Sequence, residues 1–318
     1  MTDVVTMGET MAVMSGTGVG PLRHESTLRL GVAGAEATVA IGLRRLGVPA
    51  AYLGRVGDDE LGRAVLMRLR GEGVDVEFVR VDPEAATGLM VKERRTTKVS
   101  RVRYYRTGSA GSRLAPADVP ESLVVGARVL HVTGITAALS DSCREAVRLG
   151  MDLAKAHGVL VSLDYNYRAA LWPPEEAREV LRDLTSYADV VFAGDDEARM
   201  VADLGLAATP EETLHAFASL GAGQVVVKLG AQGALGLADG TVSRVPAIPI
   251  EVLDPVGAGD AFAAGYLAAL LRGESFEQRL RWGSRLGAFA VASSGDWEGL
   301  PLLDELGLLD RADGDVLR

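Results

Sequence analysis

The sequence predicts an α/β protein built on a doubly wound, mainly parallel β-sheet. Four short runs in the middle of the chain are almost continuously apolar, namely residues 129–132, 159–163, 188–192 and 224–228. Runs of this kind are typical of parallel strands that are buried on both faces. Their starts lie about 30 residues apart with helix-type segments between them, which is the spacing that β-α-β units require. Helices are therefore expected on both faces of the sheet.

Helix signals occur at three places along the chain. Apolar residues recur at helical spacing over residues 35–46, and Gly47 then offers a C-cap glycine. A second helix is expected to begin at residues 58–59 and to end near residue 70. Residues 209–212 combine an N-cap threonine, a proline at the first helical position and a capping-box glutamate. These signals predict where three of the helices begin or end.

One region departs from this β-α rhythm. Over residues 87–106 the sequence alternates, with a charged middle and a polar turn at 95–98, which predicts an antiparallel hairpin that stands off the main sheet. Together with an early segment it would form a small β lid, made of roughly residues 9–32 and 86–110. Since the chain shows no internal repeat and no interdomain linker, residues 1–318 are expected to form a single domain that carries this lid.

The composition limits the classes of partner. Of 318 residues, 48% are hydrophobic and 24% are charged, as in a globular protein, and the net charge of −10 would repel a phosphate backbone, so nucleic acid is not an expected partner. No apolar stretch reaches the length of a membrane span, and the N-terminus lacks the pattern of a signal peptide. The single cysteine, Cys143, cannot form an internal disulfide. A cytoplasmic protein without a membrane partner is therefore expected.

The motif that points most directly to chemistry is DPVGAGDAF at residues 254–262. Gly257 and Gly259 allow a tight turn, and the apolar helix that follows would present its N-terminal N–H groups to an anion. Asp260 lies in the first turn of this helix, where its carboxylate could accept the proton of a substrate hydroxyl that attacks a phosphate. The structural alternative is a helix-capping aspartate after a glycine-rich turn.

These nine residues closely resemble the C-terminal signature of the ribokinase-like (PfkB-type) sugar kinases. Residues 33–47 match the family's N-terminal signature more loosely, residues 54–62 continue the similarity, and it spans nearly the whole chain. The resemblance implies a ribokinase-like fold and ATP-dependent phosphorylation of a sugar-like alcohol. It also implies Asp260 as the general base, beside the backbone N–H groups of Gly257, Ala258 and Gly259, which would stabilise charge on the transferring phosphoryl group.

Within this family the chain is most similar to the 2-keto-3-deoxygluconate kinases. The stretches that carry this similarity are residues 34–36, 104–112, 134–136, 164–172 and 295–296. The substrate implied by the resemblance is a sugar acid, 2-dehydro-3-deoxy-D-gluconate, which would be phosphorylated on its 6-hydroxyl.

Five residues are implied by this resemblance as contacts of the sugar acid. Arg106 and Arg168 would bind its carboxylate through charge-assisted hydrogen bonds. Tyr104 would line the sugar, Gly34 would let it approach the backbone closely, and Asp296 would accept a hydrogen bond from a sugar hydroxyl. Two alternatives stay open, namely an exposed strand charge for Arg106 and a structural ion pair for Arg168.

The ATP site is implied by the strand and loop of residues 225–234, which resemble the nucleotide loop of the family. Lys228, Gly230 and Gly233 would lie near the phosphates, and Gly257 and Gly259 near the γ-phosphate. Glu197 stands at the position of a family glutamate that organises water around Mg²⁺. The alternatives are a hairpin turn with a solvated lysine for Lys228, and a plain helix-start acid for Glu197.

Three positions depart from the family pattern and leave the exact sugar open. Thr38 stands where an asparagine usually holds sugar hydroxyls, Met90 replaces a lid tyrosine, and Gly194 replaces an asparagine or serine. A PfkB-type kinase for a neutral sugar such as fructose is therefore an alternative, and a non-catalytic sugar-binding protein is another. His131, in an apolar strand, is expected to be a satisfied core residue. Since unpaired edge strands of a lid tend to associate, a homo-oligomer formed through the lid is also expected.

Overall fold

A computed structural model describes residues 2–96 and 99–310. The β-strands in this part of the chain are, in order, β1 Val4–Met7, β2 Met11–Gly16, β3 Leu28–Ala33, β4 Ala50–Gly57, β5 Val79–Asp82, β6 Leu89–Arg94, β7 Ser100–Tyr105, β8 Val129–Thr133, β9 Leu160–Asp164, β10 Val190–Gly194, β11 Gln224–Lys228, β12 Ala234–Ala238 and β13 Thr241–Val245. The α-helices are α1 Ala35–Arg45, α2 Glu60–Gly71, α3 Glu121–Val125, α4 Gly134–Leu139, α5 Asp141–Ala156, α6 Pro174–Thr185, α7 Asp195–Ala202, α8 Pro210–Ala218, α9 Ala258–Leu271 and α10 Phe276–Val291.

The main sheet has nine strands in the order β13-β12-β11-β10-β9-β8-β1-β4-β5. All neighbours from β11 to β5 pair in parallel, and at one edge β12 pairs antiparallel with both β11 and β13. The four predicted runs correspond to β8, β9, β10 and β11, and β8 is buried at every position. The prediction of a doubly wound, mainly parallel sheet is therefore confirmed.

Separate apolar cores fill the two faces of this sheet. One core contains α1 and α9, and the other contains α5 and α6. In the first core, small residues let helices α1 and α9 approach each other closely. A Cβ added at Gly42 of α1 would lie 2.7 Å from the Cβ of Ala264 in α9. This packing holds α9, and with it the DPVGAGDAF motif, against the carboxyl end of the sheet.

The lid sheet consists of four strands in the order β3-β2-β6-β7. Strands β6 and β7 form the predicted antiparallel hairpin, and β2 and β3 from the early segment complete the sheet, with β2 and β6 parallel to each other. Alternate residues of these strands face opposite sides, so one side faces the main sheet and the other side faces away from it. The prediction of a small β lid is confirmed, except that residues 97–98 of the predicted turn lie outside the described residues.

The predicted helix boundaries are also confirmed. Helix α1 ends before Gly47, which has a left-handed φ of +77°. In α2, the carboxylate of Asp59 accepts a hydrogen bond of 2.7 Å from the backbone N–H of Gly62. In α8, Thr209 and Glu212 form the capping box, since the backbone N–H of Thr209 donates to Glu212 Oε2 over 2.8 Å.

His131 is fully buried in β8, as expected for a core residue. Its Nδ1 lies 2.9 Å from Ser162 Oγ, and burial lowers the pKa of the imidazole to about 3, so the ring is neutral. The expectation that the hydrogen bonds of this ring are satisfied holds only for Nδ1, because Nε2 has no hydrogen-bond partner among the described residues.

No helix within the described ranges is both long and apolar enough to span a bilayer.

Candidate active site

A cleft of about 930 Å³ lies between the lid sheet and the carboxyl ends of the parallel strands. In open α/β sheets this edge is where ligands bind, because the loops after adjacent strands meet there. The predicted site residues that line the cleft are Gly34, Tyr104, Arg106, Arg168, Glu197, Lys228, Gly257, Gly259, Asp260 and Asp296. The fold therefore brings together most of the residues that the sequence pointed to.

Asp260 lies in the first turn of α9 and is 8% exposed. Its Oδ1 accepts a hydrogen bond of 2.7 Å from Nδ2 of Asn166. Burial raises the pKa of Asp260, although the hydrogen bond from Asn166 and the nearby charges of Lys228 and Arg168 oppose this effect. The carboxylate is thus a stronger base than an exposed aspartate, and it faces the cleft.

The turn before α9 brings backbone N–H groups into the cleft. Gly257 has a left-handed φ of +78°, and a Cβ at this position would lie 2.2 Å from the carbonyl oxygen of Asp296. No other residue could occupy it without displacing the backbone. The first N–H groups of a helix have no acceptor within the helix, so those of α9 remain available to an anion. The chain can therefore stabilise negative charge next to Asp260.

This turn is connected to the lid by a buried ion pair. The ammonium group of Lys92 in β6 contacts the carboxylate of Asp254, and these side chains are 12% and 8% exposed. Asp254 also accepts hydrogen bonds from the backbone N–H groups of Val256 and Gly295, over 3.3 and 3.5 Å. The position of the lid is thus coupled to the glycine-rich turn.

Lys228 at the end of β11 is partly buried and paired with an acid rather than freely solvated. Its Nζ lies 2.6 Å from Oδ2 of Asp164, and the side chain is 17% exposed. Burial lowers the pKa of Lys228, but the negative charges of Asp164 and Glu197 outweigh it, so the net shift is upward and the ammonium stays charged. The alternative was a hairpin turn with a solvated lysine. The hairpin is correct, because β11 and β12 are antiparallel neighbours, but the lysine is paired with Asp164 and is not freely solvated.

Arg106 is already paired with a carboxylate. Its Nη2 lies 2.5 Å and its Nε 2.8 Å from Oε2 of Glu9, and Ser109 Oγ donates to Oε1 of the same group. The two charged side chains are only 10% and 1% exposed. The alternative of an exposed strand charge is therefore wrong for Arg106. Tyr104, whose ring lies 5.6 Å from the guanidinium, is 42% exposed.

Arg168 differs from Arg106 in having no acidic partner within the described residues. Its Nη2 donates to Oδ1 of Asn166 over 2.8 Å, and its Nη1 donates to the carbonyl oxygen of Tyr167 over 3.2 Å. The alternative of a structural ion pair therefore does not apply to Arg168 in this part of the chain. Its exposed guanidinium is a cation that an acidic ligand could neutralise.

Two further carboxyl groups in the cleft are strongly affected by burial. Burial raises the pKa of Asp296 to about 7, against the opposing charge of Lys92. It also raises the pKa of Glu36 to about 7, although Thr133 and Thr136 donate hydrogen bonds of 2.7 and 2.5 Å to its Oε1. Sequence reasoning did not single out Glu36 as a site residue. An acid among the small and apolar residues of the first half of α1 was the signal that could have identified it.

Glu197 caps the start of α7. Its Oε1 accepts from the backbone N–H of Tyr167 over 2.8 Å, and its Oε2 accepts from that of Gly194 over 2.6 Å. No group of three or more His, Cys, Asp or Glu side chains suited to a metal occurs in residues 2–96 and 99–310.

A second cavity, of about 570 Å³, adjoins the first. It contains the remaining predicted residues, Gly230, Gly233 and Ala258, and shares Lys228 and Gly259 with the cleft. Its walls are largely apolar and include Ile248, Pro249, Ile250, Val252 and Phe262. Sequence reasoning missed this wall. Its residues 246–252 lie in a connecting segment that belongs to no strand or helix.

The three residues that depart from the family pattern do not all lie in the cleft. Met90 and Gly194 line the cleft, whereas Thr38 does not. Thr38 is fully buried in α1, and its Oγ1 has no hydrogen-bond partner within the described ranges.

Comparison with known proteins agrees with this geometry. The family model described as "pfkB family carbohydrate kinase" matches residues 1–302. The chain is 39% identical over 305 residues to a 2-dehydro-3-deoxygluconokinase of Thermoproteus tenax, which covers 95% of this chain and 92% of the relative. It is 37% identical over 311 residues to a 2-dehydro-3-deoxygluconokinase of Bacillus subtilis, with 96% and 94% covered. A solved structure of a ribokinase II from E. coli, in complex with ATP and Mg²⁺, superposes with a TM-score of 0.89 at 27% identity and covers 98% of this chain and 99% of that one.

Proposed function

The chain belongs to the pfkB family of carbohydrate kinases, and from this membership we propose that it phosphorylates 2-dehydro-3-deoxy-D-gluconate on the 6-hydroxyl with ATP. The observation that carries the proposal is the arrangement of Arg168 and Asp260 around one cleft. Arg168 is an exposed cation without an acidic partner among the described residues, and Asp260 is a buried base. A sugar acid offers its carboxylate to the first group and its terminal hydroxyl to the second.

In this proposal the residues of the chain act by positioning and by electrostatics. Asp260 accepts the proton of the sugar hydroxyl as its oxygen attacks the γ-phosphorus. The N–H groups of Gly257, Ala258 and Gly259 at the start of α9 receive the equatorial oxygens of the transferring group. Lid closure excludes water, so that the hydroxyl of the sugar and not water is the acceptor.

Two features support ATP as the phosphoryl donor. The E. coli ribokinase II described above holds ATP and Mg²⁺. In this chain, the apolar cavity beside the cleft suits an adenine ring, because its walls offer aliphatic contacts. Lys228 and Gly259 lie at the border between the cavity and the cleft, where the phosphates of a nucleotide that spans both would pass.

The residues fit a magnesium ion that is held mainly by phosphates and water. Such an ion needs only one or two carboxylates, and Glu197 lines the cleft together with Lys228. Each carboxylate oxygen of Glu197 accepts one backbone hydrogen bond and keeps a lone pair for a water molecule. When bound, Mg²⁺ would neutralise charge on the phosphate oxygens.

The substrate class is tested by ADP release over ketodeoxy sugar acids, aldonic acids and neutral hexoses. We expect turnover of the ketodeoxy acid at a far higher kcat/KM than that of fructose. Preference for fructose would favour the neutral-sugar alternative. Absence of ADP release with every sugar would instead indicate a non-catalytic sugar-binding protein.

We also propose that the whole chain acts as one kinase domain that associates with a second copy through the lid. The outer side of the lid carries an apolar row, since Leu30, Met14 and Val91 are in register across β3, β2 and β6, and Arg103 of β7 follows Val91 in this row. Leu28 and Tyr105 on the same side are 40% and 59% exposed. Exposed apolar surface of this kind is typical of a protein–protein contact.

A further inference from the structure

Asn166 joins the two groups on which the proposed function depends. Its Nδ2 donates to Oδ1 of Asp260 over 2.7 Å, and its Oδ1 accepts from Nη2 of Arg168 over 2.8 Å. The residue is 7% exposed and lies two positions after the end of β9, at the edge of the sheet that forms the cleft. We propose that Asn166 is a positioning residue that orients the Asp260 carboxylate and the Arg168 guanidinium relative to each other. This inference rests on the proposed function, because it assumes that Asp260 is the base.

The two partners determine which way the amide of Asn166 points. A carboxylate can only accept hydrogen bonds and a guanidinium can only donate them. The reverse orientation would place the amide oxygen against Asp260 and the amide N–H₂ against Arg168, and both contacts would be repulsive. The hydrogen bond to Oδ1 then leaves Oδ2 of Asp260, which accepts no bond from the described residues, as the oxygen for the substrate hydroxyl.

The backbone of Asn166 is held in a conformation that suits this role. Its φ of +43° is left-handed, a region that asparagine adopts more readily than most residues. On one side, the N–H of Tyr165 donates to the carbonyl of Phe192 over 3.0 Å. On the other side, the N–H of Tyr167 donates to Glu197 over 2.8 Å. The turn is therefore fixed at both ends, and the Asn166 side chain is aimed into the cleft.

The effect of Asn166 on the base can be separated from that of the other charges nearby. Lys228 on β11 and Arg168 lower the pKa of Asp260, while Glu197 on α7 raises it. The carboxyl groups of Asp164, Glu36 and Asp296 also interact electrostatically with Asp260. Of these six groups only Arg168 is hydrogen-bonded to the Asn166 side chain, so the other five keep their contacts when residue 166 alone is replaced. A change in the acid limb of the pH profile then reports on the contacts that Asn166 makes with Asp260 and Arg168.

The test compares Asn166→Gly and Asn166→Asp with the parent over a range of pH. Both changes remove the N–H donor, and Asn166→Asp also places a like charge beside Asp260. We expect kcat to fall by about tenfold to a hundredfold, since a misplaced base loses on the order of this much rate. We expect the acid limb of kcat/KM to move up by about one pH unit, and further for Asn166→Asp than for Asn166→Gly.

A matched control is Asp239→Gly, at an exposed turn between β12 and β13 with a φ of +49°. It makes a similar backbone change outside both cavities and should leave kcat and the acid limb unchanged. Thermal unfolding of each variant shows whether it is folded. If Asn166→Asp does not fold, Asn166→Gly carries the test, because glycine adopts a positive φ without strain.

Folded Asn166 variants with a kcat within about twofold of the parent and an unmoved acid limb would overturn the inference. If the Asn166 variants are unaffected while Asp260→Ala is inactive in the same assay, the role of Asn166 is refuted and the proposed function stays intact. If Asp260→Ala is as active as the parent, the proposed mechanism itself is wrong.

Discussion

The guanidinium of Arg106 lies against the buried carboxylate of Glu9, with Nη2 2.5 Å from Oε2. This pairing makes the two arginines of the cleft unequal, because Arg168 has no acidic partner in the described part of the chain. The positive charge of Arg106 is already balanced within the protein. A substrate carboxylate would therefore gain most from Arg168, and Arg106 would contribute mainly hydrogen-bond donors.

Replacement of Arg168 and Arg106 should have different consequences. We expect Arg168→Ala to raise KM for the sugar acid roughly 10- to 150-fold, as for a lost charge-assisted hydrogen bond, and to change stability little. Arg106→Ala should lower the free energy of unfolding by about 3–5 kcal/mol, because it leaves Glu9 buried and unpaired. Initial rates and urea unfolding measure the two effects.

The double variant Glu9→Gln, Arg106→Ala is the matched control for the second effect, since it removes both charges. It should be more stable than Arg106→Ala alone.

The carboxylate contact of Arg168 has its own test. If Arg168→Ala raised KM for the sugar acid and KM for fructose by the same factor, a contact between Arg168 and the substrate carboxylate would be contradicted.

Glu36 should make the protein less stable as the pH rises. Its pKa is raised from 4.5 to about 7 in the folded state, so between these values the folded protein binds a proton that the unfolded chain releases. Stability is then lost as the pH increases through this window. The side chain of the Glu36→Gln variant cannot ionise. We therefore expect its free energy of unfolding to exceed that of the parent by up to about 3 kcal/mol near pH 8. Urea unfolding at several pH values measures this difference, which should shrink towards pH 4.5; a difference that does not vary with pH would contradict it.

The apolar cavity should affect the affinity for ATP and not the affinity for the sugar. We expect Ile250→Asp to raise KM for ATP about tenfold, because it removes apolar contact worth ~1.5 kcal/mol from the wall, and to leave KM for the sugar nearly unchanged. Val242→Asp on the exposed side of β13, outside both cavities, is the control. Initial rates with each substrate varied in turn separate the two constants. An equal rise in KM for the sugar would mean that this cavity is not the nucleotide site.

Association through the lid should depend on the apolar residues of its outer side. Leu30 is 44% exposed and lies opposite Met14 in the lid sheet. We expect Leu30→Glu to shift the parent from dimer to monomer in sedimentation velocity at micromolar concentration, because it places a charge in the contact. Leu206→Glu, at an exposed position between α7 and α8, should not change the mass. A monomeric parent would refute the lid contact.

The fold was largely predictable because its signals are local. Each buried strand from β8 to β11 is an apolar run, and the ends of α1, α2 and α8 carry their own caps. Strands β12 and β13 were not predicted, although Asp239 and Gly240, with φ of +49° and +73°, form the kind of turn that Asp-Gly favours.

The candidate site was predictable only where residues belong to motifs. Asp260 and its glycine turn stand in one short string, whereas Asn166 contacts Asp260 across 94 positions and Glu9 contacts Arg106 across 97. No local pattern shows which acid neutralises which arginine, because these contacts form only when the strands assemble. The ion pair of Lys228 was missed for the same reason, since its partner Asp164 lies on a strand 64 positions away.

The central claim is that the carboxylate of Asp260 deprotonates the sugar hydroxyl, and single-turnover ADP formation by Asp260→Ala and Asp260→Asn tests it most directly. We predict that both variants bind ATP and the sugar acid about as tightly as the parent, while the phosphoryl transfer rate falls by about 10²- to 10⁴-fold. A transfer rate equal to that of the parent in either variant would contradict the account.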